Sequence, residues 1–141
     1  MKMLLEHMVY FRCEVVDKPC EFEPQKPTTN SNLFEVGNSL VVYVNVESAD
    51  QENGSHIRAA SIISNIASEL GVMDIVIYPF AHLEHARVDA EVALLTLTGL
   101  REQLSFKDPD RRVLSIPFGT IKTREGKTHA HRRAVLLRTV R

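Results

Sequence analysis

Apolar positions along the chain follow two different periods, and the change of period marks out the elements. Residues 39 to 47, SLVVYVNVE, are a nearly unbroken β-branched and aromatic run, the pattern of a strand buried in a sheet. Ile57, Ala60, Ile63, Ile66, Ala67 and Leu70 then recur every three or four residues and predict a helix, with Asn53, Gly54 and Ser55 as cap chemistry and Gly71 just past its end. VMDIVIY, residues 72 to 78, returns to a strand pattern and is cut off by Pro79, which has no N–H for a ladder. Strand, helix and strand at this spacing predict a right-handed crossover between parallel strands. A second helix is expected from Arg87 to Leu104, with Val88, Val92, Leu95 and Leu104 on one face and Gly99 as a weak point.

The flanks read as further strands. KMLLEHMVYFRCEVV, residues 2 to 16, alternates loosely and suggests one bent strand or a tight pair, and the proline-rich stretch to Asn32 reads as a loop. RVLSIPFGTIKTR is a strand pattern broken by Pro117 and Gly119, and HRRAVLLRTV supplies a last strand or hairpin arm. The fold class is therefore α/β (α+β), a mixed β-sheet with two main helices. With 141 residues, 44% of them hydrophobic, one domain spanning 1–141 is expected.

Composition narrows this picture. No apolar run approaches the roughly 18 residues of a membrane-spanning helix, and the start, MKMLLEHMVYF, is interrupted too early for a secretory signal, so a cytoplasmic protein without membrane partners is expected. Cys13 and Cys20 fit neither a disulfide framework nor a zinc pair. The net charge of -1 hides a segregation: residues 1 to 110 carry eight basic and seventeen acidic side chains, whereas residues 111 to 141 carry nine basic and one acidic. A basic terminal segment on an acidic body is a footprint of phosphate or nucleic-acid binding, and equally of a solvated sheet edge protected from aggregation.

Two stretches share a local grammar. YPFAHL and IPFG each place Pro-Phe directly after an apolar strand, so backbone groups freed at two strand ends can frame one crevice. His82 follows the first and Lys122 the second; together they suit orienting a water or holding an oxyanion, although each alone also reads as a structural or solvated residue. His82, His85, His129 and His131 match no zinc motif, and no phosphate loop or serine-hydrolase elbow is present, so neither metal nor cofactor is expected.

The combination of MKMLLEH, VVYVNVE, YPFAHL and PFGTIK resembles the N-terminal editing domain of archaeal threonyl-tRNA synthetase over nearly the whole chain. The resemblance implies the D-aminoacyl-tRNA deacylase-like fold, a homodimer, a longer parent synthetase whose other domains act in cis or in trans, and hydrolysis of serine from mischarged Ser-tRNA(Thr). It places Lys122 on the family's functional lysine and His82 on its active-site histidine. Val46, Phe80, Ala81 and Phe118 fall where the family holds the seryl and adenosine groups. The basic segment, with Arg124, Lys127, Arg132 and Arg133, then becomes the expected tRNA-backbone surface.

The chain departs from the family pattern at Glu84, at Thr120 and Ile121, which replace two tyrosines, and in KTHAHRRA, where no acid aligns with the family's glutamate; Glu125 stands nearby. Alternative readings are a D-aminoacyl-tRNA deacylase, a tRNA-binding module with weakened catalysis, and a metal-dependent hydrolase.

Overall fold

A strand sixteen residues long, β1 (Lys2–Asp17), carries most of the pairing in the molecule. The computed structural model describes residues 1–17, 32–81 and 88–141. After β1 come β2 (Leu33–Val36), β3 (Ser39–Asn45), α1 (Ser55–Leu70), β4 (Asp74–Pro79), α2 (Ala90–Lys107), β5 (Arg112–Ser115), β6 (Ile121–Thr128) and β7 (Val135–Thr139). One edge of β1 pairs antiparallel with β3 through Lys2–Met8 and then with β2 through Phe11–Glu14. Its other edge pairs with β7 through Lys2–Glu6 and then with β6 through Met8–Asp17. Beyond β3 the sheet continues with β4 and β5, both parallel, as the crossover pattern requires.

A slip in register between Met8 and Tyr10 divides β1 into two functional halves. Because side chains alternate with period two, one extra residue reverses which parity faces which side. Before the slip Met1, Met3 and Leu5 point to the helix-side core, with Leu40, Val42, Val44, Ile75 and Ile77. After it Phe11, Cys13 and Val15 join Met8 on the opposite core, over Val41, Tyr43, Val76 and Tyr78. The sheet thus covers both of its faces, one with helices and one with its own outer half.

The helices differ from expectation in which residues they bury. In α1 the buried face contains Ala59, Ala60, Ile63, Ile66 and Ala67, and Ile57 is left 47% exposed. Its N-cap is Gly54 in a left-handed conformation, with no side-chain cap, and Gly71 closes the other end as predicted. Helix α2 starts at Ala90, where Asp89 caps the Glu91 N–H at 2.8 Å, rather than at Arg87. Its inner face is Ala93, Thr96, Leu97, Leu100 and Leu104, so Leu95, predicted inside, is 50% exposed. Gly99 explains the rotation. A Cβ there would lie 3.0 Å from the His56 ring of α1, so Gly99 is on the face turned to α1 and a larger residue would crowd that contact. Among the described residues no helix is long and apolar enough to cross a membrane.

Two polar clusters pin the ends of this sheet. The Met1 ammonium, fully buried, donates to Glu47 Oε2 and Asp50 Oδ1 at 2.6 Å each and to the Val140 carbonyl at 2.9 Å. Asp50 also accepts the Glu47 N–H at 2.6 Å, so one buried carboxylate ties β1 to the turn before α1. At the other end of the β7 pairing, His7 Nδ1 meets His131 Nε2 at 2.8 Å, and His7 Nε2 meets Asn38 Oδ1 at 2.9 Å. His131 Nδ1 accepts the Arg133 N–H, and Asn38 Oδ1 also faces His129 Nε2 at 2.9 Å. Since an amide oxygen only accepts, His7 and His129 each carry their proton on Nε2. His131 must then donate from Nε2 to His7 Nδ1.

Asp50→Ala, which leaves the buried ammonium without its most enclosed partner, is expected to cost about 3–5 kcal/mol in denaturant unfolding; a loss under 1 kcal/mol would contradict this role. The His7 pKa is held below its ordinary 6.5 by burial first, against the opposing Asn38 hydrogen bond, with His129 and His131 adding to the depression. Below 6.5 the unfolded chain therefore binds the proton that the folded chain refuses, so stability is complete above that pH and falls as the pH falls towards the lowered value. Melting temperatures recorded from pH 7.5 to 5 should drop, and His7→Gln should flatten the drop.

Candidate functional site

Three adjacent parallel strands, β3, β4 and β5, end at the same side of the sheet, the usual place for a ligand in sheets of this kind. The ladder continues a residue past each end: the Phe80 N–H donates to Val44 O and the Ile116 N–H to Ile77 O, both at 2.9 Å. Val46, Phe80, Ala81 and Phe118 follow these ends directly. The Val46 side chain is buried in the helix-side core, so what it offers a ligand is backbone, whereas Phe118 is partly buried against the same core and Ala81 is exposed. His82, with Glu84 and His85, lies outside the described residues.

Lys122 reaches this region through a turn that only glycine makes easily. Gly119 sits at φ 72°, which reverses the chain after Pro-Phe and brings β6 back against the second half of β1. The Lys122 ammonium donates to Pro117 O at 3.0 Å, to Thr120 Oγ1 at 3.1 Å and to Thr120 O at 3.3 Å. It also stands 5.2 Å from the centre of the Tyr78 ring, a favourable cation–π distance. A positive charge is thus held in place beside the strand ends, where it can stabilise an oxyanion without a large reorganisation.

Arg124, two residues on and on the same face of β6, does something the sequence did not suggest. Its guanidinium lies over three rings, 5.0 Å from Tyr43, 5.4 Å from Phe80 and 5.6 Å from Tyr78. Tyr43 and Tyr78 are register partners on β3 and β4, and burial is the main cause that raises both phenols. The signal available in the sequence was the shared parity of VVYV and IVIY; that a distant basic strand would fold over them was not encoded locally. Beneath Arg124 opens a pocket of about 240 Å³ with Leu4, Glu6, Tyr43, Phe80 and Thr128 in its walls.

The remaining basic residues are dispersed rather than gathered at the strand ends. Lys127 is exposed opposite Tyr10, and Arg132 is exposed in the connection between β6 and β7. Arg133 pairs with Glu69 of α1 at 2.5 Å, which anchors that connection to the helix. Glu125 is a strand residue of β6 opposite Arg12. Cys13 is buried below Lys122 and Arg124; burial pushes its thiol up to about 11 against the pull of both cations, so it packs and does not act as a nucleophile. Among the described residues, no three His, Cys, Asp or Glu side chains are arranged to hold a metal ion.

Comparison with known proteins agrees with this geometry. Residues 1–140 match the family described as the archaea-specific editing domain of threonyl-tRNA synthetase. Threonine--tRNA ligases of Thermococcus kodakarensis and Thermofilum pendens are each 31% identical to the chain over 142 residues, covering 99% and 100% of it but only 22% and 23% of their own length. The chain therefore spans less than a quarter of these relatives. Among solved structures, the c-Myc DNA Unwinding Element Binding Protein shares the fold, with a TM-score of 0.67 at 10% identity, over 100% of this chain and 99% of that one. The fold is the D-aminoacyl-tRNA deacylase-like one that the resemblance implied. By family match, strand topology and the paired Pro-Phe strand ends, the chain belongs to the archaea-specific editing domains of threonyl-tRNA synthetase.

Proposed function

We propose that residues 1–141 form a single editing domain, part of a longer synthetase, that hydrolyses the ester of Ser-tRNA(Thr). The observation that carries this reading is the Lys122 ammonium, fixed by its own turn at the ends of three parallel strands. In the reaction a water adds to the ester carbonyl, the carbonyl oxygen becomes negative, and Lys122 stabilises that charge. The carbon–oxygen bond to the ribose then breaks, and the ribose oxygen leaves with a proton derived from the water. Backbone groups at Val46, Ala81 and Phe118 hold the aminoacyl and terminal nucleoside groups, with Phe80 as a wall and His82 shaping the aminoacyl pocket.

Discrimination has a simple physical basis. An activation site that recognises threonine gains only about 1–3 kcal/mol from the extra methyl, so a second site that admits serine and excludes the larger side chain is needed. Arg132 and Lys127, exposed on the basic arm, serve the tRNA backbone, while Arg124 serves the site itself. The β7 edge, with Val135 and Leu137 exposed, suits pairing with a second copy in a homodimer.

Single-turnover hydrolysis of Ser-tRNA(Thr) should be slowed by about 10²-fold or more in Lys122→Ala, with Thr-tRNA(Thr) spared and a chelator without effect. Undiminished turnover in the variant would remove Lys122 from the chemistry. Binding of tRNA should weaken with rising salt, and Arg132→Ala should lower the slope of the log–log plot by about one; an unchanged slope would place the RNA backbone elsewhere.

A further inference from the structure

The pocket beneath Arg124 holds a charge that the proposed reaction has not used. Glu6 stands on the same face of β1 as Leu4 and Met8, and in register it lies between Val41 of β3 and Val135 of β7. Its carboxylate is partly buried, accepts a hydrogen bond from the Tyr43 hydroxyl, and forms no ion pair among the described residues. One neutral hydroxyl satisfies only part of a carboxylate's accepting capacity, which leaves lone pairs for a cation that enters the pocket. Arg124, the cation in the pocket wall, lies over Tyr43, Tyr78 and Phe80 and makes no salt bridge with Glu6.

The location of the pocket links it to the chemistry. Phe80 belongs both to its wall and to the strand-end crevice, and Arg124 and Lys122 stand over the same Tyr78 ring, at 5.6 and 5.2 Å. Its volume of about 240 Å³ lies below the ~300–1,000 Å³ of sites for drug-sized ligands. It therefore suits a head group of a few atoms.

We propose that Glu6 binds the α-ammonium of the amino acid esterified to the tRNA, and so makes a free amino group a requirement for binding. This rests on the aminoacyl-ester reading above. The 3′ end of an RNA is anionic throughout, and the α-ammonium is the one cation that aminoacylation adds to it. A carboxylate with no ion pair among the described residues, beside a basic arm, opposes uncharged and N-blocked RNA ends and favours the charged one. The N–H groups of Arg124 on the facing wall suit the oxygens that flank that ammonium.

The test is calorimetric binding of the hydrolysis-resistant 3′-serylamino-3′-deoxyadenosine and of its N-acetyl derivative, to the unaltered protein and to Glu6→Gln. The free amine should bind about ten-fold or more tightly than the acetylated form, and Glu6→Gln should abolish that preference while leaving the acetylated form unchanged. Equal affinities in the unaltered protein, binding of neither compound, or a preference that survives Glu6→Gln would each overturn the assignment. The first two do not depend on how well the variant folds. Preference for the free amine without turnover of Ser-tRNA(Thr) would support Glu6 while overturning the deacylase reading, and turnover without preference would do the reverse.

Discussion

The single extra residue in β1, between Met8 and Tyr10, is the constraint from which the rest of the molecule follows. A sixteen-residue strand with uninterrupted alternation would commit all its apolar positions of one parity to one face. With the slip, the first half seals the helix-side core and the second half seals the other, and the strand bends enough to fold its far end across the sheet. The aromatic face of β3 and β4 is thereby roofed by β1, β2 and β6 rather than by a third helix. The site lies at the margin of that roof because β6 brings Lys122 and Arg124 with it.

Such a curled sheet depends on its ends being held. At the start of β1 the buried ammonium, Glu47, Asp50 and Val140 O join the first residue to the segment after β3 and to the end of β7. Near the slip, three imidazoles and Asn38 join β1, the turn between β2 and β3, and the connection between β6 and β7. Each cluster satisfies polar groups that the curl takes from water, and each spans elements distant in sequence.

The site divides its charges in a way that suits RNA chemistry. Two cations, Lys122 and Arg124, are held in place by backbone carbonyls and by aromatic rings at the margin of the sheet. Arg133, by contrast, is held by Glu69 and positions a connection. The basic excess of the last thirty-one residues therefore separates into charge that builds the site, charge that shapes a loop and charge left to the solvent and the RNA backbone.

Sequence alone determined the strand–helix–strand crossover, the Gly71 stop, the mixed sheet with two helices and the two Pro-Phe strand ends, because each is written in local periodicity or in backbone chemistry that a few neighbouring residues impose. It also carried the family, through motifs spread from Met1 to PFGTIK. Local pattern could not say which side of α2 faces inward, since Gly99 offers no hydrophobic signal and yet sets the helix contact through its lack of a side chain. Nor could it find β2, too short to show a period, or place Arg124 over Tyr43, Tyr78 and Phe80, or leave Glu6 facing a pocket. These were decided by tertiary structure, because they depend on how far β1 bends and on which residues distant in the chain, from Arg124 and Phe80 to Lys2 and Thr139, that bend brings face to face.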